Sequence, residues 1–246
     1  MTKRAFKFLI LTGLINGVVC AVFGTNIAVS IKMSWSEARN YCRELHTDLS
    51  SVNSPEEDEE LYTIEHEPGP PYVWIGLYKD ASGTWKWSGG GTASYFNWLT
   101  NPVEEDGSCV VHSTKGWDRK DCEKNQLRFY CFRSSLVLVE EKKTWEEAME
   151  HCRQQNRDLV SLTTSTALIK TLQTSREAHT DYVWTGLRYL AGSWLWVNGS
   201  GIEYQAWSQG EMPQCPKRSH HCGALSLEKQ RWVGRDCEEK INFVCY

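Results

Sequence analysis

The chain states one pattern twice. Trp35, Cys42, Asp48, Leu49, Trp74 and Gly76 recur 110 residues later as Trp145, Cys152, Asp158, Leu159, Trp184 and Gly186. The offset is 109 at Trp87 with Trp196 and at Trp98 with Trp207. It becomes 113 to 115 at Cys109 with Cys222, Trp117 with Trp232, Cys122 with Cys237 and Cys131 with Cys245. Insertions therefore collect in one region while the framework is kept. A repeat this long can bury its own core, which predicts two whole domains in tandem rather than a solenoid. The expected boundaries are residues 1–20 for a leader, 21–132 for the first domain and 133–246 for the second.

Each half opens with the signature of a capped amphipathic helix. Ser34-Trp35-Ser36-Glu37 and Thr144-Trp145-Glu146-Glu147 place a hydroxyl and a carboxylate where each satisfies an orphan backbone donor. Trp35, Ala38, Tyr41 and Cys42, and in the second half Trp145, Ala148, Met149 and Cys152, then follow at helical spacing and predict an inward face. A second helix is signalled by Ser54 before Pro55, Glu56 and Glu57, with a counterpart near Thr164 or Ser165. Aromatic and β-branched runs at Tyr72–Leu77 and Tyr182–Leu187, and alternating ones at Thr84–Trp87 and Ser193–Trp196, read as strands. Helices early and strands late give an α+β pattern. The repeated tryptophans, among 12 in the chain, read as core.

Lys3, Arg4 and Lys7 precede an apolar stretch from Phe8 to Val19, and Val18, Cys20 and Ala21 supply a small-residue cleavage context, the layout of a secretory signal peptide. The rival reading is an uncleaved anchor, but a spanning helix needs roughly 20 apolar residues and this stretch is shorter and contains Gly13, Asn16 and Gly17. No hydrophobic tail for a lipid anchor follows Cys245. The expected product is secreted and extracellular, with no membrane insertion. Its formal charge moves from −4 to −7 on cleavage, with residues 21–132 holding 10 basic and 17 acidic groups and residues 133–246 holding 14 of each. That balance excludes a nucleic-acid partner.

Cleavage after Cys20 leaves nine cysteines in an oxidising compartment. Each repeat supplies four equivalents, for which sequence permits three connectivities. Cys215, in Gln214-Cys215-Pro216-Lys217-Arg218, has no counterpart in the first repeat and reads as the candidate for an intermolecular disulfide and a linked dimer. A zinc site at Cys215, His220, His221 and Cys222 fits no established ligand spacing. No nucleophile motif or paired carboxylates at diagnostic spacing point to an enzyme.

Together the helix with its cysteine, Trp74-Ile75-Gly76-Leu77 and its variant Trp184-Thr185-Gly186-Leu187, the pieces Trp117 to Cys122 and Trp232 to Cys237, and the closing cysteines resemble the C-type lectin-like domain. The resemblance covers nearly all of residues 25–246 as two copies, of the type strung together in the macrophage mannose receptor. It implies two helices, short mixed strands and a long loop per domain, stapled by Cys42–Cys131 and Cys109–Cys122, then Cys152–Cys245 and Cys222–Cys237. An outer bridge closing some 90 residues stabilises by roughly 4 to 5 kcal/mol in the chain-entropy account.

The resemblance also implies where a ligand would sit. Sugar-binding members hold calcium with a Glu-Pro-Asn or Gln-Pro-Asp triplet and a Trp-Asn-Asp strand, and calcium demands six to eight oxygen donors. Here the triplet is Asn101-Pro102-Val103 and the strand Trp117-Asp118-Arg119, so Val103 brings no oxygen and Arg119 brings a positive charge. In the second repeat Glu211-Met212-Pro213 and Trp232-Val233-Gly234 leave Glu211 as the one plausible donor. No cofactor is expected, calcium included. Lys217, Arg218, His220, His221, Lys229, Arg231 and Arg235 instead gather cations around the second site, which would favour an anionic glycan or an acidic protein surface. The alternative is a calcium-dependent lectin with an adapted site in the first repeat, using Glu104, Glu105 and Asp106. Asn198-Gly199-Ser200 is the one usable glycosylation sequon.

Overall fold

The computed structural model describes residues 23–64, 72–99, 107–214, 216 and 219–246. The expected signal peptide with Cys20, the stretch from Asn101 through Val103 to Asp106, and Cys215, Lys217 and Arg218 lie outside these.

The first repeat runs β1 (Gly24–Met33), α1 (Trp35–Leu45), β2 (Asp48–Leu49), α2 (Pro55–Ile64), β3 (Val73–Lys79), β4 (Trp85–Trp87), β5 (Cys109–His112), β6 (Asp118–Lys120) and β7 (Leu127–Ser134). The second runs β8 (Val137–Lys143), α3 (Trp145–Gln154), α4 (Ser165–Thr174), a 3-10 turn at Ser175–Glu177, β9 (Tyr182–Leu190), β10 (Ser193–Trp196), β11 (Cys222–Ser226), β12 (Arg231–Arg235) and β13 (Ile241–Cys245). In the first sheet the order is β1-β7-β3-β5-β6, with β2 on β7 and β4 on β3; in the second it is β12-β11-β9-β13-β8, with β10 on β9. The two are the same topology. β7 runs parallel to β3 and β13 parallel to β9, while every other pairing is antiparallel. This is the α+β architecture expected.

Both capping boxes form: Ser34 and Thr144 accept from the backbones of Glu37 and Glu147, whose carboxylates accept in return from the cap backbones. Trp35, Ala38 and Cys42, and likewise Trp145, Ala148 and Cys152, are buried. Tyr41 and Met149, expected on the same faces, are only half-buried and flank the core clusters. The paired tryptophans make equivalent bonds. Trp35 Nε1 donates to the carbonyl of Ile75 and Trp145 Nε1 to that of Thr185, both at 2.8 Å. Trp74 and Trp184 donate across to the carbonyls of Met33 and Lys143. The glycine of the Trp-x-Gly-Leu strand is required by close approach: a Cβ at Gly76 would stand 2.8 Å from Ser88 Oγ, and one at Gly186 2.6 Å from Val197 Cγ2.

The opening strands β1 and β8 are additions to the sequence reading. Each is an edge strand beside the closing strand of its sheet, with one side open, so its apolar period is diluted; Ile27, Val29 and Met33 were the available signal. The four disulfides are Cys42–Cys131, Cys109–Cys122, Cys152–Cys245 and Cys222–Cys237, the outer pair closing separations of 89 and 93 residues.

The two repeats meet through α4. Its sequence, STALIKTLQT, is buried continuously from Ala167 to Gln173, whereas its counterpart α2, with five consecutive acids, buries only Asp58 and Leu61. A helix covered all round has neighbours on both sides. Leu168 and Leu172 pack into the second repeat while Ile169 joins the core of the first. Gln173 Nε2 donates to the carbonyl of Leu49 at 3.1 Å, and Arg176 binds Asp48 Oδ2 at 3.0 Å and the carbonyl of Thr47 at 3.1 Å. Asp48 is fully buried and also receives Arg43 and the hydroxyl of Ser88.

Candidate ligand-binding site

The long loop of each repeat lies between β4 and β5, residues 88–108, in the first and between β10 and β11, residues 197–221, in the second. In both, a tryptophan of the loop bridges the strand tryptophan beneath it: Trp98 with Trp117 and Trp207 with Trp232. Trp117, Trp207 and Trp232 are buried and Trp98 is half-buried against the core of its repeat, and these indoles set the floor beneath each loop.

Below the first loop lies a buried polar network that the second lacks. Asp58, on α2, accepts from Trp117 Nε1 at 2.7 Å and Asn97 Nδ2 at 2.6 Å, and His112 Nε2 stands 3.2 Å away. Burial pushes the Asp58 carboxyl up, but bonds from His112, Trp117 and Asn97 together with the charge of His112 outweigh it and hold it below the ordinary aspartate value. Burial, with Asp58 beside it, pushes the Tyr95 phenol up to about 12. The corresponding residues of the second repeat are Leu168, Leu225 and Ala206, and the buried Trp232 Nε1 finds no acceptor among the described residues.

The strand carboxylate of the first site is already occupied. Asp118 is buried, and its Oδ2 lies 3.0 Å from Lys120 Nζ while Oδ1 accepts from the backbone of Arg119 at 2.8 Å. Asn101 and Val103 lie outside the described residues. Among the described residues no group of three or more His, Cys, Asp or Glu side chains is placed to hold a metal ion.

In the second repeat Glu211, His220, Lys229, Val233, Gly234 and Arg235 converge around one cleft of about 450 Å³, floored by Trp207 and Trp232 and closed by Tyr182 and Pro216. A Cβ at Gly234 would meet the carbonyl of His220 at 3.0 Å, so the loop has settled into the space of the missing side chain. Three of the expected cations need correction. Arg235 is tied to Glu239 and its guanidinium lies 4.1 Å over the ring of Tyr182, so it serves the wall of the cleft rather than a free charge. Arg231 is exposed but does not line the cleft. His221 is turned away, packed on Tyr189. Lys229 remains exposed at the rim. The spacing of Arg235 to Glu239, four residues, was the signal that this charge is paired.

A second, larger cavity of about 890 Å³ lies between α3 and the β9–β10 hairpin, lined by Trp145, Met149, Leu190, Leu195 and Val197. Leu190 and Leu195 are exposed where the first repeat carries the Asp80–Lys86 ion pair.

The family model "Lectin C-type domain" matches residues 31–133 and again 141–246. The chain belongs to the C-type lectin domain family. Among its relatives, the secretory phospholipase A2 receptor of Homo sapiens is 26% identical over 271 residues, covering 94% of this chain and 18% of the receptor. Human C-type mannose receptor 2 is 25% identical, covering 87% and 17%, and human lymphocyte antigen 75 is 26% identical, covering 92% and 15%. The chain thus spans less than a fifth of the length of these receptors. Solved structures match somewhat less than half of this chain. Human lithostathine shares 28% identity, covering 45% of this chain and 80% of its own with a TM-score of 0.39. A calcium-independent type II antifreeze protein shares 20%, covering 45% and 82% with a TM-score of 0.38. This C-type lectin protein carries two copies of the family's domain, and no described helix is long and apolar enough to cross a membrane.

Proposed function

We propose that this C-type lectin protein is a secreted recognition module that binds a protein or an anionic glycan through the second long-loop cleft, without calcium and without catalysis. The observation carrying this is the cleft itself: indole-floored, rimmed by Lys229 and His220, and with Val233 and Gly234 where calcium ligands would stand. Calcium binding needs several oxygen donors around one point, and among the described residues Glu211 alone faces this cleft with a carboxylate. In the first repeat the Lys120 contact leaves Asp118 neutralised, which disfavours an adapted calcium site there. Receptors named for mannose and for a secreted phospholipase among the relatives support a binding role over an enzymatic one. Cys215, outside the described residues, is the residue through which a disulfide-linked dimer would form, and non-reducing electrophoresis of a Cys215→Ser variant tests that link.

The decisive test is a glycan array and heparin column run with calcium and with EDTA. Salt-sensitive retention that ignores EDTA and falls in Lys229→Glu supports the proposal. Retention that requires calcium would overturn it in favour of a lectin site built on Asn101, Asp118 and the acidic loop.

A further inference from the structure

The turn after β4 in the first repeat and the turn after β10 in the second are the same structure with opposite surroundings. The N–H of Ser88 donates to the carbonyl of Gly76, and that of Val197 to Gly186, both at 2.8 Å. Gly90 then bonds back to Trp87 as Gly199 does to Trp196, both at 2.9 Å. In the first repeat this turn is pressed against α4. A Cβ on Gly89 would stand 2.2 Å from Gln173 Cγ, one on Gly91 2.9 Å from Ile169 Cγ1, and the N–H of Gly91 donates to Gln230 Oε1 at 3.0 Å.

In the second repeat the residue at the position of Gly89 is Asn198, the head of the sequon. It is exposed, and Gly199, at φ +80°, and Gly201 would each meet nothing within 4 Å with an added Cβ. The N–H of Ser200 donates to Asn198 Oδ1 at 2.9 Å, which engages the amide oxygen within the tripeptide, while the amide nitrogen of this exposed residue has no hydrogen-bond partner among the described residues. Asp48, the buried acid that receives Arg176 at the joint, has as its counterpart Asp158, which is partly exposed and, among the described residues, ion-paired with Arg153 alone, at 3.4 Å.

We propose that Asn198 carries an N-linked oligosaccharide, and that this oligosaccharide closes in the second repeat the face through which the first repeat receives α4. The donor is a lipid-pyrophosphate-linked oligosaccharide. Nδ2 of Asn198 forms a C–N bond to the anomeric carbon, the bond from that carbon to the pyrophosphate oxygen breaks with its electron pair on the leaving group, and the amide gives up one proton. A face that must admit Gln173 against a bare glycine has no room for a branched sugar. The joint between repeats is therefore a contact the second repeat cannot accept on its own equivalent face, which is left to solvent. This rests on the secretion reading, because the donor is met only in the secretory lumen.

The test uses the full chain expressed in animal cells, once with its own first residues and once behind a heterologous secretion leader. The folded protein is treated with an N-glycan amidase without denaturant, and the Asn198 peptide is read by mass spectrometry for conversion to aspartate. Expected is near-complete occupancy with near-complete release from the native protein, and an Asn198→Gln variant that is secreted with an unchanged melting temperature. An unmodified Asn198 in leader-driven protein recovered from the medium overturns the proposal. So does an occupied site resistant to native release and cleaved only after denaturation, since that face would then be covered. If only the leader-driven chain reaches the medium, and does so glycosylated, the secretion reading fails while this proposal stands.

Discussion

Lys170 of the second repeat places its ammonium 2.9 Å from both the carbonyl oxygen and the hydroxyl of Ser51 in the first, and 4.0 Å over the ring of Phe132. It is 4% exposed. Burial pulls its pKa below the ordinary lysine value, with the more distant Glu57 and Glu60 acting in the other direction. An ammonium seated this deeply between two domains fixes one register of the joint, because it can leave Ser51 only by losing acceptors it cannot replace in an apolar interior.

Replacing Lys170 by Glu buries a carboxylate against two oxygens, and the joint should open at a cost of about 3 to 5 kcal/mol. Calorimetry would show one transition splitting into two. Lys170→Met, which keeps the stem and removes the buried charge, should leave a single transition within about 1.5 kcal/mol of the parent. Equal behaviour of the two variants would mean that the charge is irrelevant to the joint.

The homologous turns make a paired test. Gly89→Ala pushes a methyl into Gln173, an overpacking that should cost about 1 to 3 kcal/mol. Gly201→Ala, facing open space, should stay within about 0.5 kcal/mol. Urea titration of both variants measures the difference.

The Asp58 network gives the first repeat an acid sensitivity that the second lacks. The Asp58 carboxyl is held below its ordinary value of 3.8, so its contribution to stability is present in full above that value. It is lost as the pH falls through the lowered folded value. The first repeat should therefore lose stability below about pH 4 through Asp58, which tryptophan fluorescence in urea at pH 7 and pH 3 would follow. Asp58→Ala, leaving His112 and Trp117 buried without their acceptor, should cost about 3 to 5 kcal/mol at pH 7. Carrying over Leu168, Leu225 and Ala206 as Asp58→Leu with His112→Leu and Asn97→Ala should recover most of that loss and remove this share of the acid dependence.

Arg235 and Lys229 should separate structure from binding. Arg235→Glu sets a second carboxylate beside Glu239 and removes the cation from Tyr182, so it should lower the melting temperature. Lys229→Glu, at an exposed position, should leave the melting temperature unchanged while shortening heparin retention. A fall in retention for Arg235→Glu with no loss of stability would show that its guanidinium is a ligand after all.

Reading the residues in order reached the frame of each repeat and much less of what joins the repeats. Ser34 with Glu37 and Thr144 with Glu147 are legible because a capping box is complete within four residues. The tryptophans are legible because their repetition marks equivalent places in two cores. The edge strands β1 and β8 were harder, since a strand open on one side carries a weak period. Asp118 stands in the sequence as the carboxylate of a degraded calcium-site strand, and its pairing with Lys120 is a property of the folded strand.

The sequence by itself determined that there are two copies of one disulfide-framed domain, because helix caps, apolar periods and cysteine spacing are written locally and survive being read as a string. Tertiary structure alone decided that α4 belongs to both domains, that Asp48 is shared by Arg43 and Arg176, and that Gly89 must be bare where Asn198 need not be. Those outcomes depend on atoms brought within 3.1 Å across 124 residues of chain in the case of Gln173 and Leu49, and at such range burial and pairing are properties of the packed surface rather than of either segment.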